Sequence, residues 1–114
     1  MRVTAQQVRA MYAMFRTLPP YCRWNLPKPE QVRFAVNSIR GEYGRYENQP
    51  HRISVSRHNV KCFHALAVTM AHEIIHLRQE LTGTYNDRAQ HNRAFVRTAK
   101  HVCRVLGFDS KGFT

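Results

Sequence analysis

His72, Glu73 and His76 stand together in the run AHEIIH, two imidazoles four residues apart with a carboxylate between them. On an α-helix, residues i and i+4 share one face about 6 Å apart, so both imidazoles can reach one ion. Glu73 is offset by about 100° and stands beside that pair. These residue types suit metal-assisted hydrolysis: two ligands for a cation such as Zn2+, and a carboxylate that takes a proton from water. Catalytic zinc uses three protein ligands and keeps one position open, so a third donor has to come from elsewhere in the chain.

Helical spacing narrows the choice. Glu80 and His64 each lie eight residues from His72, about 12 Å along a helix axis, too far to share an ion held at about 2 Å. His91 is favoured: in a helix expected over about residues 88 to 106 it lines up with Phe95, Thr98, Ala99, Val102 and Leu106, the apolar face that turns toward the core. His101 lies about 80° from that face and is the weaker choice. The plainer account of His91 is a core histidine bonded to backbone.

The elements that have to position these groups can be read from periodicity and caps. Thr4 and Gln7 form a capping box ahead of Val8, Met11, Tyr12, Phe15 and Leu18, which predicts a helix over about residues 5 to 18, stopped by Pro19 and Pro20. VRFAVN alternates apolar and polar residues as a half-buried strand does, and two short strands are expected near residues 42 to 46 and 52 to 56. From about Lys61 to Leu81 the apolar residues occupy most of a helical circumference, the mark of a central buried helix closed by Gly83. Asp87 and Gln90 form a second capping box before the last helix, which Gly107 ends. The fold class expected is α+β: an N-terminal helix, a three-stranded antiparallel sheet, a central HExxH helix and a C-terminal helix carrying the third ligand, in one domain over residues 1–114.

Composition bounds the partners. The net charge is +11, from 14 Arg and 4 Lys against 5 Glu and 2 Asp. Such an excess suggests a polyanion, although it also serves solubility. Arg93, Arg97, Lys100 and Arg104 recur at spacings of four, three and four, one stripe opposite the face assigned to His91. Arg2, Arg9 and Arg16 repeat every seven residues on the first helix. Cys22, Cys62 and Cys103 are odd in number and far apart, so they are expected to stay reduced and to fill space as small apolar residues. The first twenty residues lack a signal-peptide core and no run is long enough to span a membrane. A soluble, cytoplasmic monomer is expected.

AHEIIH, then fourteen residues, then His91 followed by NRAF, resembles the SprT-like zinc metallopeptidases, including the Spartan type, whose third histidine usually stands in an H-G-x-x-F context. Asn92 replaces that glycine. NSIRGEYGRYENQPHRISVSRH is similar to the family's strand pair, in which a G-x-Y pattern precedes an I-x-I-S strand. The resemblance runs over about residues 5 to 107 and implies a small zincin-like domain with His72, His76 and His91 as metal ligands and Glu73 as catalytic base. It also implies a protein substrate, associated with DNA. The cysteine-rich zinc ribbon that many relatives carry after this core is not in the sequence, so the likeness is to a minimal bacterial or phage-encoded member. The rival reading is a nucleic-acid-binding module in which the histidines hold a structural zinc. Structural sites are usually closed by four ligands rich in cysteine, and Glu73 would have no purpose in one.

Overall fold

The computed structural model describes residues 1–113. Helix α1 spans Ala5–Phe15 and opens on the expected capping box, with Thr4 Oγ1 accepting from the Gln7 amide at 3.2 Å and Gln7 Oε1 accepting from the Thr4 amide at 3.0 Å. Val8, Met11, Tyr12 and Phe15 form its buried face. The helix ends at Phe15, earlier than the apolar spacing predicts. A residue before proline is kept out of the α region, and the chain tightens instead into i to i−3 bonds, Thr17 to Met14 and Leu18 to Phe15. Leu18 still packs on the core.

Three strands follow: β1 (Arg33–Asn37), β2 (Gly44–Glu47) and β3 (Arg52–Ser56). They form one sheet in the order β1-β3-β2. The expected all-antiparallel sheet is corrected here to a mixed one. β2 and β3 are an antiparallel hairpin, with Tyr46 opposite Ile53, but β1 pairs parallel with β3, Phe34 opposite Ile53 and Val36 opposite Val55. Ile53, Ser54, Val55 and Ser56 are all buried, so β3 has to be covered on both faces and flanked on both edges. The hairpin return places it in the middle, running in the direction of β1, and leaves β2 at an edge.

Helix α2 (Phe63–Thr82) lies across the sheet with buried side chains around most of its circumference, from Leu66 through Met70, Ile74, Ile75 and Leu77. Gly83 ends it in the left-handed region at φ 77°, where a side chain would be strained. Its start is capped by Cys62, whose Sγ faces the Ala65 amide at 3.5 Å. This corrects the expectation for the cysteines: all three are free, yet only Cys103 is a buried space-filler, whereas Cys22 and Cys62 are exposed.

The last long helix, α3, spans Arg93–Leu106 and not residues 88 to 106. Asn92 is its cap, accepting from the Phe95 amide at 3.0 Å. The Asp87–Gln90 box does not form, because Asn86 takes the Arg88 amide at 2.9 Å in a local turn and its carbonyl takes the Ala89 amide. His91 therefore stands ahead of the helix, not on it. Phe95, Ala99, Val102 and Cys103 face the core, and Arg93, Arg97, Lys100, His101 and Arg104 are exposed. A single turn, α4 (Ser110–Phe113), folds back and buries Phe113.

Candidate functional site

α2 delivers His72 and His76 from one face, and the loop before α3 brings His91 over them. One ring nitrogen from each lies within 4.8 Å of the others. His72 Nε2 and His91 Nε2 are 3.1 Å apart, close to the spacing of about 3.3 Å that two donors at 2.0–2.1 Å from one tetrahedral ion would have. The aromatic ring of Phe95, fully buried, is the floor: its centroid is 4.6 Å from those of His76 and His91 and 4.8 Å from that of His72. His91 alone of the three is exposed, so the cage opens on its side. His101 and Asp87 stay outside the cluster.

Each α2 imidazole is held through Nδ1. The Phe113 carbonyl lies 2.7 Å from His72 Nδ1, and a carbonyl can only accept, so that nitrogen carries the proton and Nε2 keeps its lone pair. His76 Nδ1 lies 2.8 Å from Gln79 Oε1. Gln79 is itself buried and its Nε2 donates to Asn92 Oδ1 at 3.1 Å. Outer partners of this kind fix the tautomer and orientation of metal-binding histidines. Burial pushes His72 down to about 4, with the Phe113 carbonyl partly opposing, and burial also takes His76 to about 4 and lowers His91. Three neutral imidazoles with free nitrogens converge, which is the donor set a divalent ion such as zinc takes.

Glu73 is 6 % exposed, with Oε2 3.8 Å from His72 Nε2, beside the cage as its helical offset predicts. Burial, and then the nearby Glu42, push its carboxyl up to about 8. A cation in the cage favours the ionised form and draws that value back down. The backbone of β2 presses directly on this residue. A Cβ on Gly44 would come 2.6 Å from Thr69 Cγ2 and 3.1 Å from Glu73 Cγ, so only glycine allows the approach.

The cage sits in a cleft of about 880 Å³, walled by β2, by α2, by Tyr85 and His91 from the loop, and by Phe108 and Phe113 from the tail. Tyr85 lines it, with its ring 5.4 Å from Tyr46 and 6.2 Å from His76. His64 reaches the cleft but not the cage, and Glu80 is occupied by Asn48 at 3.2 Å. The sequence reading missed Gln79 and the Phe113 carbonyl. The signal for Gln79 was its position three residues after His76, on the same helix face; a main-chain carbonyl leaves none.

An HExxH helix with a third histidine supplied by a later segment, over an open cleft, defines a metallopeptidase-like domain. Residues 11–111 match the SprT-like family, and the chain belongs to it. A search of the curated proteins and one of the solved structures each found no match.

Proposed function

We propose that this chain is a zinc-dependent endopeptidase in which His72, His76 and His91 hold the metal and Glu73 is the catalytic base. The observation that carries this reading is the meeting of three neutral imidazoles with a buried carboxylate at the floor of an open cleft. Zinc supplies Lewis acidity, lowering the pKa of water to about 7 and polarising a carbonyl. Glu73 takes the proton from the attacking water and returns it to the leaving amine. Tyr85, whose hydroxyl is pushed up to about 12 by burial and then by its hydrogen bond to Asp87, stays protonated, and to donate toward the developing oxyanion it would turn from that carboxylate.

The substrate is read as an extended polypeptide. β2 is an edge strand whose residues from Gly44 to Glu47 line the cleft, so its free edge can add one more strand and bind backbone without regard to side chains. DNA bound without sequence preference is the proposed second partner, supported by the net charge and the exposed stripe on α3. No described helix is long and apolar enough to cross a membrane. A cytoplasmic monomer acting on DNA-associated proteins accommodates these features.

The test is cleavage of an unfolded protein by the zinc-loaded chain, with and without DNA, against a chelator-treated sample and a Glu73→Gln variant. Cleavage should require metal, and Glu73→Gln should keep the zinc while losing about 10²–10⁴ in rate. Tight zinc binding without cleavage under any condition would make the chain a nucleic-acid-binding module with a structural metal.

A further inference from the structure

A second hollow opens where α1 ends, and it shares no lining residue with the cleft. Its volume is about 360 Å³, and its walls are Arg16, the chain from Asn25 to Lys28, Gln31 and His51. None of these residues is acidic. Glu30, the acid nearest in sequence, is paired with Arg9 at 3.2 Å and does not line it. The acceptors that these walls offer from Leu26 to Lys28 are already taken. The Leu26 carbonyl accepts from Arg16 Nη2 at 3.4 Å, the Pro27 carbonyl from the Tyr12 hydroxyl at 2.6 Å, and the Lys28 carbonyl from the Gln31 amide at 2.8 Å. Gln31 Oε1 accepts from the Lys28 amide at 2.9 Å.

The donors are left over. Arg16 Nε is buried without a hydrogen-bond partner, and the one bond of that guanidinium, to Leu26, is long. Because Gln31 Oε1 faces an amide, the other end of its side chain is the NH2, with two protons to give. Tyr46 is buried, and its hydroxyl has only His51 Nδ1, at 2.7 Å, to donate to among the described residues, so the His51 ring carries its proton on Nε2. Trp24 is right-handed and Asn25 left-handed at φ 53°, the pairing that turns successive main-chain amides toward one side as an anion nest. The amides of Asn25 and Leu26 reach no main-chain carbonyl among the described residues. Lys28 is exposed at the rim, with no carboxylate within ion-pair distance among the described residues.

We propose that this hollow is a phosphate site, for inorganic phosphate or a phosphate monoester, held by Arg16, Lys28, Gln31, His51 and the amides of Asn25 and Leu26. A carboxylate brings two oxygens and one charge. A terminal phosphate brings three strong acceptor oxygens and close to two charges, which matches a wall of donors built around an arginine and a lysine. An internal phosphate of a nucleic-acid strand has fewer free oxygens and a single charge, so a phosphate with a free end suits this donor set better. A small phosphorylated compound and the phosphorylated end of a strand both offer that group. The site is independent of the peptidase reading and uses neither the cage nor the stripe on α3.

The experiment is an NMR titration of the zinc-loaded, isotope-labelled chain with sodium phosphate, against sodium chloride at equal ionic strength. Phosphate should move the Arg16 Nε proton, the His51 ring and the Asn25 and Leu26 amides along one saturable curve, and chloride should not. Arg16→Gln with Lys28→Gln should weaken binding about tenfold or more, as the loss of hydrogen bonds between charged groups does. Replacing Arg93, Arg97, Lys100 and Arg104 by glutamine removes twice as many charges and should leave the curve where it was, which separates a built site from general basicity. Circular dichroism and zinc content should be unchanged in both variants; if Arg16→Gln disturbs the fold, Lys28→Gln alone, at an exposed position, carries the comparison. Two oligonucleotides that differ only in a phosphate or a hydroxyl at one end then identify the source. A preference for the phosphorylated strand that the double variant loses assigns a strand end, and saturable phosphate binding without that preference assigns a small compound. No saturable shift around the hollow, a response confined to His72, His76 and His91, an equal response to chloride, or a larger loss in the α3 variant would overturn the proposal.

Discussion

The backbone amide of Phe95 decides which nitrogen of His76 carries the proton. That amide can only donate, and it donates to Asn92 Oδ1 at 3.0 Å, while the Thr84 carbonyl accepts from Asn92 Nδ2 at 3.0 Å. The orientation of the Asn92 amide is therefore fixed. Its oxygen faces Gln79, so the Gln79 group 3.1 Å away is the NH2, and the oxygen at the other end of that amide faces His76 Nδ1 at 2.8 Å. His76 has to donate there, which leaves Nε2 unprotonated for a metal. The same Asn92 caps α3 and neighbours His91, so one hydrogen-bonded chain sets both the second ligand and the entry to the third.

Breaking that chain should cost metal affinity. Gln79→Ala and Asn92→Gly are each expected to weaken zinc binding about 10- to 100-fold, the usual effect of removing an outer partner of a ligand. The double variant should lose little more than the worse single, because both act through one path. Chelator competition measures this directly, and additive losses would mean that the two amides act independently.

The metal-free protein should be most stable near pH 6.5. Burial holds His72 and His76 at about 4 against a usual 6.5, so only the unfolded chain takes up protons between those values, and stability falls as pH drops from 6.5 to 4. Glu73 has the opposite sign. Its carboxyl, raised from 4.5 to about 8, stays protonated in the fold while the unfolded chain loses that proton, so stability falls as pH rises from 4.5 to 8. Below 6.5 two histidines outweigh one glutamate, and above it the glutamate acts alone. At about 1.4 kcal/mol per pH unit, the alkaline loss between 6.5 and 8 is about 2 kcal/mol. Glu73→Gln should abolish that loss and steepen the acid limb, where the glutamate no longer offsets the two histidines between pH 4.5 and 6.5. Urea unfolding of chelator-treated protein across this range checks both limbs, and an unchanged alkaline limb in the variant would remove Glu73 as its cause.

Gly44→Ala should destabilise the fold by about 1–3 kcal/mol, the usual penalty for forcing a methyl group into occupied space. Thr69 is β-branched and on a helix, so its Cγ2 has little freedom to swing away. Adding Thr69→Ala removes the carbon that blocks the new methyl and should recover part of the stability. Denaturant midpoints of the two variants decide it, and no recovery would point to Glu73 or the Ser54 carbonyl as the contact that cannot yield.

Local signals in the sequence were faithful where one segment answers to itself. The Thr4–Gln7 box, the Gly83 stop and the range of β3 are each set by neighbours within a few residues, and the structure forms them, whereas β2 runs over Gly44–Glu47 and not 42 to 46. For His72 and His76 helix geometry was a sound guide, and it removed Glu80 and His64; His91 was favoured from a helix face on which it does not stand, and the family resemblance pointed to the residue that the structure joins to them. Strand order was not legible, since β1 and β3 pair across nineteen positions in register and no local pattern encodes that partner. The start of α3 was misread because Asp87 and Asn92 both look like caps, and what favours Asn92 is its contact with Gln79 on another helix. The basic stripe was read correctly as a face, but from a helix on which His91 does not lie.

That stripe carries the last prediction. Arg93, Arg97, Lys100 and Arg104 are exposed and none of them is in an ion pair with another described residue. Phe95, Ala99 and Val102 anchor the opposite face of α3 in the core, and Phe95 is also the floor of the cage, so the helix cannot rotate its cations inward without dismantling the ligands. The arginines of the first helix are less free, since Arg9 is paired with Glu30 and Arg16 leans on the Leu26 carbonyl at 3.4 Å. α3 is thus the surface expected to meet DNA. Binding should be sequence-independent and should weaken steeply with salt, because each phosphate contact releases counterions, with a logarithmic slope of about 0.9 per contact on a duplex. Replacing all four residues by glutamine should lower affinity and flatten the slope by up to about 4, with zinc content unchanged. Anisotropy of a labelled duplex over a salt series reads both quantities. Unaltered affinity would return the stripe to solvent, and no binding by the unmodified protein at low salt would reject a nucleic-acid role for this surface.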